Sequence, residues 1–327
     1  MSANVGRIWG ALLLGGFAAG FSPGAAAPAG GAYVMADGKP TGLIKEPPAW
    51  QPVEKLIPPR TLERLKHAAE AAARTLNSFG ITGVQDAFVT RQLLSGWHAA
   101  DTDSQGLPLR VVASLGVEPE AGGDGLPDRQ TLALDAIEAV RKANGMNGPR
   151  HQIAHITFIA PADMPRFAKL NVVVDVSPML WFPHAYTPLF EQMAGHARTL
   201  HSYPIGGLIR AGALVAGGSD WPAGQQTPDP WLGIEGLVTR RNPAGNVPGV
   251  LDAREAIPLG QALRLYTLNS ATAMGLGRET GSIEVGKSAD FAVLSQDLFK
   301  IPPPRIHRTT VRVTYFQGRP VYRATDR

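Results

Sequence analysis

The sequence contains no cysteine. This absence excludes disulfide bonds, a thiol nucleophile, a lipoprotein anchor and every cysteine-ligated zinc site. Any metal site must therefore use histidine and carboxylate side chains. A strong charge excess is also missing, because 31 Lys and Arg residues stand against 27 Asp and Glu residues and the basic residues are scattered along the chain. Without a basic stripe we expect no nucleic-acid partner.

Length and composition indicate a globular protein. The chain has 327 residues, of which 44% are hydrophobic and 18% are charged. Such a chain can bury a large core. We therefore expect one large domain, or one domain with a small appendage.

The N-terminal segment leaves two interpretations open. Arg7 precedes an apolar run over 8–21, and small residues follow it to residue 27. This order of zones is typical of an export signal, but glycines interrupt the run and Pro28 crowds the best cleavage site, which favours a leader without export function. The run is too short to span a bilayer, so we expect no stable membrane span. The sequence therefore predicts a leader or signal segment over 1–27 and leaves a cytoplasmic or an exported location open.

From residue 61 onward, helical and extended patterns alternate. Apolar residues at helical spacing predict helices over 61–79, 131–143, 161–170, 201–211 and 259–274. Runs of apolar residues, most of them β-branched, predict strands over 81–87, 109–115, 151–158, 172–177 and 213–217. Strands that alternate with helices form parallel sheets, and a (β/α) TIM-type barrel is the architecture that turns strand ends into active sites. We therefore predict an α/β fold with such a barrel over 28–278.

The C-terminal region has a different pattern. Short extended stretches around glycine turns occur over 281–294 and 311–322. They predict a small β subdomain over 279–327, packed beside the barrel.

One carboxylate stands where an apolar stretch ends. Asp220 follows the predicted strand 213–217 after Gly217, Gly218 and Ser219. Hydrolases use a carboxylate in such a place as a base or a metal ligand. The alternative is a turn or helix cap before Trp221.

Six motifs occur in a characteristic order. They lie at 37–42, 80–87, 150–155, 217–222, 265–271 and 281–290, and they include Gly80-Ile-Thr-Gly-Val-Gln-Asp-Ala87 and Gly217-Gly-Ser-Asp-Trp-Pro222. In this order they resemble the amidohydrolase superfamily, specifically its amidohydrolase 3 branch. The resemblance covers the chain from about residue 28 to its C-terminus.

The resemblance implies a fold, a reaction and two site residues. The superfamily has a metal-dependent (β/α) barrel with a β-sandwich subdomain, and it hydrolyses amide-like C–N bonds outside peptides in small molecules. By the resemblance, His155 matches a metal ligand, and Asp220 matches a metal ligand that also handles the proton. A divalent metal, zinc in the first place, lowers the pKa of bound water and polarises the carbonyl under attack.

The sequence departs from the superfamily pattern at two places. The superfamily begins its barrel with His-x-His, whereas the first histidine here is His67, inside a predicted helix. Strands 4 and 5 are also missing, because a crossover between parallel strands takes about a dozen residues and the segment between Val117 and Arg129 cannot hold two strands and their helix. We therefore expect an incomplete barrel with strands that match 2, 3, 6, 7 and 8, and at most two metal ligands. Its unpaired sheet edges predict homo-oligomers or aggregation.

Simpler roles compete at each candidate position. His155 could be a satisfied core histidine. Trp181 and Trp221 could bind substrate or pack as part of a lid, as could Phe182 and Tyr186. Asp86 could face the site, but we expect it to stabilise a turn or to hydrogen-bond a neighbouring side chain. The remaining histidines that fit no ligand pattern are expected to be structural or at the surface, namely His151, His184, His196, His201 and His307.

The sequence thus predicts a metal-dependent hydrolase acting on non-peptide C–N bonds, with His155 and Asp220 as metal ligands and Asp220 as proton shuttle. The alternative is a catalytically inactive, truncated amidohydrolase remnant or a binding scaffold. A third interpretation is a gene model that has lost its start and an internal segment. The substrate, the metal content and the oligomeric state stay open.

Overall fold

The computed structural model describes residues 31–45, 47–115, 129–177, 181–185, 187–222 and 226–325. Contacts divide the chain into two units between Thr61 and Leu62. The leader predicted over 1–27 and Tyr186 lie outside the described residues. Within the described residues, no helix has both the length and the apolar character needed to cross a membrane.

The first unit contains an antiparallel hairpin and a short helix. The hairpin pairs strand β1 (Ala32–Ala36) with β2 (Lys39–Lys45), and helix α1 covers Pro47–Glu54. Asp37 and Gly38, which form the turn, both have positive φ angles of 50° and 70°. Asp-Gly suits a tight hairpin turn of this kind, because both central residues adopt the left-handed conformation.

The second unit contains two parallel sheets. One pairs β3 (Gly83–Val89) with β4 (Arg110–Leu115), and the other has the order β5 (Gln152–Ala154), β6 (Val173–Val176), β7 (Leu214–Gly217). Side chains link the two sheets, because Gln152 on β5 donates from Nε2 to Oε1 of Gln85 on β3 at 3.0 Å. The α/β class is thus confirmed in the described residues.

Helices connect these strands. They are α2 (Leu62–Ser78), α3 (Arg91–Asp101), α4 (Arg129–Asn144), α5 (Met164–Lys169), α6 (Thr187–Ala194), α7 (His196–Leu200), α8 (Ile205–Arg210), α9 (Pro230–Thr239), α10 (Leu259–Arg264) and α11 (Ser270–Ala273). The helix predicted over 61–79 is confirmed as α2. The helix predicted over 201–211 begins later, at Ile205, because Pro204 precedes it with a non-helical backbone.

The prediction of one continuous helix over 259–274 is wrong, because this segment is interrupted. A π-helical turn over Leu265–Asn269 separates α10 from α11. Asn269 donates from Nδ2 to the carbonyl of Val215 at 2.9 Å, and Ser270 donates from Oγ to the carbonyl of Gly217 at 3.0 Å. These bonds attach the helix to β7, which is a physical reason for the Asn-Ser pair in the motif at 265–271.

Two apolar cores lie in the second unit. The larger one packs β6 and β7 against α5, α8 and α9, and it includes Phe167, Val174, Leu208, Val215 and Leu237, each fully buried. The smaller one packs α2 and α3 against β3 and β4. The strand ends that carry the candidate site therefore rest on a well-packed base.

The C-terminal strands form an antiparallel sheet in the order β10 (Arg319–Arg323), β9 (Val311–Phe316), β8 (Phe291–Leu294). Of the short strands predicted around glycine turns over 281–294, the structure contains β8, and residues 281–290 form turns and loop. This sheet joins the rest of the unit through an ion pair between Arg110 and Asp290, and through Thr314, which donates from Oγ1 to the carbonyl of Asn77 at 2.6 Å.

Candidate active site

The two residues predicted for the site lie at the ends of the two strands that flank β6. His155 follows β5 directly, and Asp220 follows β7 after Gly218 and Ser219. Because β5, β6 and β7 are parallel, their carboxyl ends meet at one edge of the sheet. The Nε2 atom of His155 lies 3.9 Å from Oδ1 of Asp220. Their side chains are 53% and 35% exposed, so both can be reached from solvent.

Both residues have a left-handed backbone. The φ angle is +54° at His155 and +55° at Asp220. A side chain in this region costs free energy, and such conformations cluster at functional sites. The left-handed His155 also ends the strand predicted over 151–158 after Ala154, so that β5 is shorter than predicted.

Ser177 orients the imidazole of His155. Its Oγ lies 3.4 Å from Nδ1 of His155. With Nδ1 turned toward Ser177, Nε2 is the nitrogen that faces Asp220. The backbone adds a second restraint, since the N–H of His155 donates to the carbonyl of Asp175 at 3.1 Å.

Asp175 is a third ionisable group at this edge, and sequence reasoning missed it. It lies on β6, paired in register with Ala154 on β5 and Ala216 on β7. Burial raises the pKa of Asp175 to about 6; the charge of His155 opposes this shift, and the charge of Asp220 adds to it. Burial also raises the pKa of Asp220, and His155 opposes that shift. A lone carboxylate within the run Val172-Val-Val-Asp-Val176 was the available signal.

Tyr266 lies beneath the end of β7. A Cβ on Gly217 would stand 3.0 Å from Cε2 of Tyr266, so the ring packs directly against the strand. Its hydroxyl is buried and has no hydrogen-bond partner among the described residues. Burial raises the pKa of Tyr266 well above its usual value, and the charges of Asp229 and Asp175 add to the effect. The floor of the site therefore contains a neutral phenol close to Asp175.

The two tryptophans differ in environment. Trp181 is fully buried in the larger core, where its Nε1 donates to the carbonyl of Gly233 at 2.9 Å. Trp221 is half-buried and packs against the smaller core. The burial of Trp181 favours the packing role for that residue. Asp86 accepts a hydrogen bond from Nε1 of Trp97 at 2.7 Å, so its partner is a neighbouring side chain.

The described residues do not supply a complete metal site. His155 and Asp220 offer two donors, and within the described part of the chain no group of three or more His, Asp or Glu side chains is arranged to hold a metal ion. A catalytic zinc takes about three protein ligands and water. The metal that the resemblance implies does not fit this donor set, so we assign no step to it.

Comparison with known proteins identifies the family. A sequence model described as the amidohydrolase family matches residues 14–132 and 117–322. The putative amidohydrolase YtcJ of Bacillus subtilis (strain 168) is 28% identical over 70% of this chain and 42% of its own length. The N-substituted formamide deformylase of Arthrobacter pascens is 31% identical over 57% of this chain and 33% of its own length. The chain thus matches less than half the length of each of these two relatives.

Solved structures agree in fold. An uncharacterized metal-dependent hydrolase from Pyrococcus horikoshii OT3 superposes with a TM-score of 0.61 at 19% identity, over 81% of this chain and 66% of that one. A second, from Pyrococcus furiosus, gives 0.57 at 18% identity, over 75% of this chain and 63% of that one. At these identities the likeness concerns the fold alone. Since the family model matches most of its length, the chain belongs to the amidohydrolase family, in its amidohydrolase 3 branch.

Proposed function

We propose that this chain is a hydrolase that acts on carbon–nitrogen bonds other than peptide bonds in small molecules. The observation that carries the proposal is the approach of His155 Nε2 to Asp220 Oδ1, at 3.9 Å, on the ends of two parallel strands. Family membership supports the reaction class. The relative named an N-substituted formamide deformylase supports an amide-like substrate.

Asp220 is the proton carrier in this proposal. Its carboxylate takes a proton from the water molecule that attacks the substrate carbonyl carbon, and then gives this proton to the leaving nitrogen. Because burial raises the pKa of Asp220, its carboxylate is a stronger base than an exposed aspartate. His155 lies beside it, with Ser177 holding its ring.

Whether a divalent metal, most readily zinc, takes part depends on how many side chains can bind it. By the resemblance His155 and Asp220 would bind it, yet two donors are fewer than a catalytic site uses. Stoichiometric zinc would therefore require further donors, such as those of a second copy of the chain.

The proposal extends to substrate contacts and domain boundaries. Trp221, half-buried immediately after Asp220, is the better placed of the two tryptophans to contact a substrate, and Trp181 is the weaker candidate because it is fully buried. We also propose an incomplete barrel over 28–278 and a β-sandwich-type subdomain over 279–327. In the described residues the parallel strands form separate sheets of two and three strands, which supports an incomplete barrel.

One alternative function has its own support. The chain is an inactive remnant or a binding scaffold if the family's metal donors are truly lost. The donor set of His155 and Asp220 favours this alternative. The two proposals differ in a measurable property, which is turnover that depends on Asp220.

The experiment measures aniline release from formanilide and acetanilide by the purified chain, together with its zinc content by elemental analysis. Asp220→Asn is expected to lower kcat/KM by about a hundredfold or more, the usual contribution of a positioned proton carrier. Asp101→Asn and His98→Ala, both exposed on α3, are the matched controls for Asp220→Asn and His155→Ala.

The outcomes separate the two functions. Aniline release that is lost in Asp220→Asn and kept in Asp101→Asn supports the hydrolase. If the parent chain binds zinc and His155→Ala does not, His155 is a zinc ligand and other groups replace the ligands that the sequence lacks. The hydrolase is rejected in favour of the inactive remnant if the chain contains no zinc and releases no aniline. It is also rejected if the chain contains no zinc and Asp220→Asn releases as much aniline as the parent chain.

A further inference from the structure

A cavity of about 660 Å³ lies outside the candidate active site. It lies among α5, α7, α8 and the 3₁₀ turn Ala253–Glu255, and its lining includes neither His155 nor Asp175 nor Asp220. One wall is apolar, with Phe158, Ile159 and Met164. The opposite wall carries charged side chains. Ligand cavities commonly combine an apolar body with a few convergent polar groups.

The two carboxylates in the charged wall are already paired. Asp252 accepts from Nε of Arg254 on Oδ1 and from a guanidinium N–H on Oδ2, each at 2.8 Å. The hydrogen bond from Arg254 keeps the pKa of Asp252 far below its usual value. Glu255 accepts from Arg210 at 3.2 Å and from the backbone N–H of Gly207 at 2.6 Å. Each carboxylate therefore has its own arginine partner.

Two nitrogen-bearing side chains in the same wall, Arg198 and His201, remain available to a ligand. The guanidinium of Arg198 lies over the ring of Phe158, 4.9 Å from its centroid, and forms no ion pair with a carboxylate in the described part of the chain. His201 uses Nδ1 toward Asp252 and Arg254, each at 3.0 Å. Its ring is 62% exposed, and its Nε2 has no partner among the described residues.

A buried arginine adds positive charge behind this wall. Arg240 is fully buried and donates to the carbonyls of Leu251 and Ser202, which are the chain neighbours of Asp252 and His201. Burial lowers the pKa of Arg240 to about 10, which leaves it cationic at neutral pH. Three arginines line the cavity (Arg198, Arg210 and Arg254) against two carboxylates (Asp252 and Glu255), which leaves a surplus of one positive charge in the lining.

We infer that this cavity binds a small organic anion, with its carboxylate or phosphate group held by Arg198 and His201 and its apolar body against Phe158, Ile159 and Met164. Arginine suits this role, because its planar group of N–H donors matches the oxygens of both anions. The stacked position over Phe158 holds the guanidinium at the boundary between the apolar and charged walls. His201, expected from the sequence to be structural or at the surface, becomes a ligand-binding residue.

The test measures binding of phenyl phosphate, benzoate and benzyl alcohol to the full chain by calorimetry and ligand-observed NMR. The three probes share an aromatic body and differ in the group attached to it. Both anions, or one of them, are expected to bind at least about tenfold more tightly than the neutral alcohol, which is the size of one charge-assisted contact. The stronger of the two anions then identifies a phosphate or a carboxylate as the natural group.

Variants locate the binding. Arg198→Ala is expected to weaken anion binding by about tenfold or more and to leave benzyl alcohol unchanged. Arg319→Ala, at an exposed position on β10, is the matched control and keeps full affinity. Asp220→Asn also keeps full affinity, because the cavity is separate from the candidate active site.

Three results overturn the inference. The first is an absence of saturable anion binding at about 10 mM, above the range of weak specific ligands. The second is equal affinity for benzyl alcohol and the anions. The third is anion binding that survives Arg198→Ala, or that is lost in Asp220→Asn, with circular dichroism showing both variants folded.

Discussion

The backbone N–H of His155 donates to the carbonyl of Asp175 at 3.1 Å, after the last residue pair of β5 and β6. This bond fixes the point at which the histidine leaves the sheet. Asp175 itself lies on β6, the strand between those that carry His155 and Asp220. Three ionisable groups thus share one sheet edge.

Asp175→Asn is expected to make the chain more stable at neutral pH. The folded-state pKa of Asp175 is raised to about 6 by burial, so ionisation in the folded state is unfavourable by up to about 3 kcal/mol. The stability that neutral Asp175 contributes is full at low pH and is lost as pH rises through about 6. The gain for the variant should therefore reach about 2–3 kcal/mol at about pH 7.5 and fall below about 1 kcal/mol at about pH 4.

Urea unfolding of parent and variant at both pH values measures this difference. Asp101→Asn, at an exposed position, is the control and should change little at either pH. A gain that is independent of pH would mean that Asp175 is not the group that titrates.

His155→Gly and Asp220→Gly are expected to keep or raise stability. Both residues hold a left-handed backbone, with φ angles of +54° and +55°, which glycine adopts without steric cost. Relief of this strain should offset the greater flexibility of the unfolded chain, so the expected change lies between zero and a gain of about 1 kcal/mol. His98→Gly, inside helix α3, should instead lose about 0.3–0.5 kcal/mol, the difference in helix propensity between histidine and glycine.

Thermal unfolding of these three variants gives the comparison. A loss above about 1 kcal/mol in both site variants would mean that His155 and Asp220 stabilise the fold more than their backbone costs. That result would weaken the case for a functional origin of the strain.

Gly236→Ala is expected to destabilise the larger core. A Cβ on Gly236, in helix α9, would stand 2.3 Å from Cδ1 of Phe182 and 2.9 Å from Nε1 of Trp181. Both rings are fully buried, so the clash forces them off their packing positions at a cost of about 1–3 kcal/mol or more.

Gly260→Ala is the matched control for this clash. Gly260 lies in helix α10 with nothing within 4 Å of the new Cβ, so alanine should add up to about 1 kcal/mol through helix propensity. Equal effects of the two substitutions, measured by urea unfolding, would contradict the packing of α9 on Trp181 and Phe182.

Asp290→Asn is expected to loosen the C-terminal sheet. Asp290 pairs with Arg110 on β4 and accepts from the backbone N–H of Gln317 and from Oγ1 of Thr280, each at 2.7 Å. Burial by itself would raise the pKa of Asp290, but these hydrogen bonds and the charge of Arg110 outweigh it and lower the pKa. The substitution should cost about 2–4 kcal/mol at neutral pH, because it leaves Arg110 half-buried without its charge partner.

This cost should shrink in acid, because the stability from a carboxylate with a lowered pKa is lost as pH falls. Asp297→Asn, whose side chain is 48% exposed, serves as control and should change stability little, because solvent screens an exposed ion pair. Hydrogen exchange of β8, β9 and β10 reports the effect locally. Unchanged exchange in Asp290→Asn would contradict this role of the ion pair.

Sequence patterns predicted the parts of this fold in which local periodicity decides the structure. The apolar spacing of 61–79 predicted α2, and the β-branched run at 172–177 predicted β6. The sequence patterns did not predict helices α1, α3, α6, α7 and α9. Helix α9 is apolar on nearly all sides, with Trp231, Ile234 and Leu237 all buried, so it has no periodic pattern to detect.

For the candidate site, the sequence by itself determined the family and the two strand-end residues, because ordered motifs and strand-to-loop transitions are local features of the chain. Tertiary structure decided what no local pattern contains. It placed Asp175 under His155 and Asp220 and raised its pKa by burial, and it gathered Arg198, His201 and Arg254 around one cavity. Proximity between residues far apart in the chain, and the loss of water around them, arise only when the sheets and helices pack.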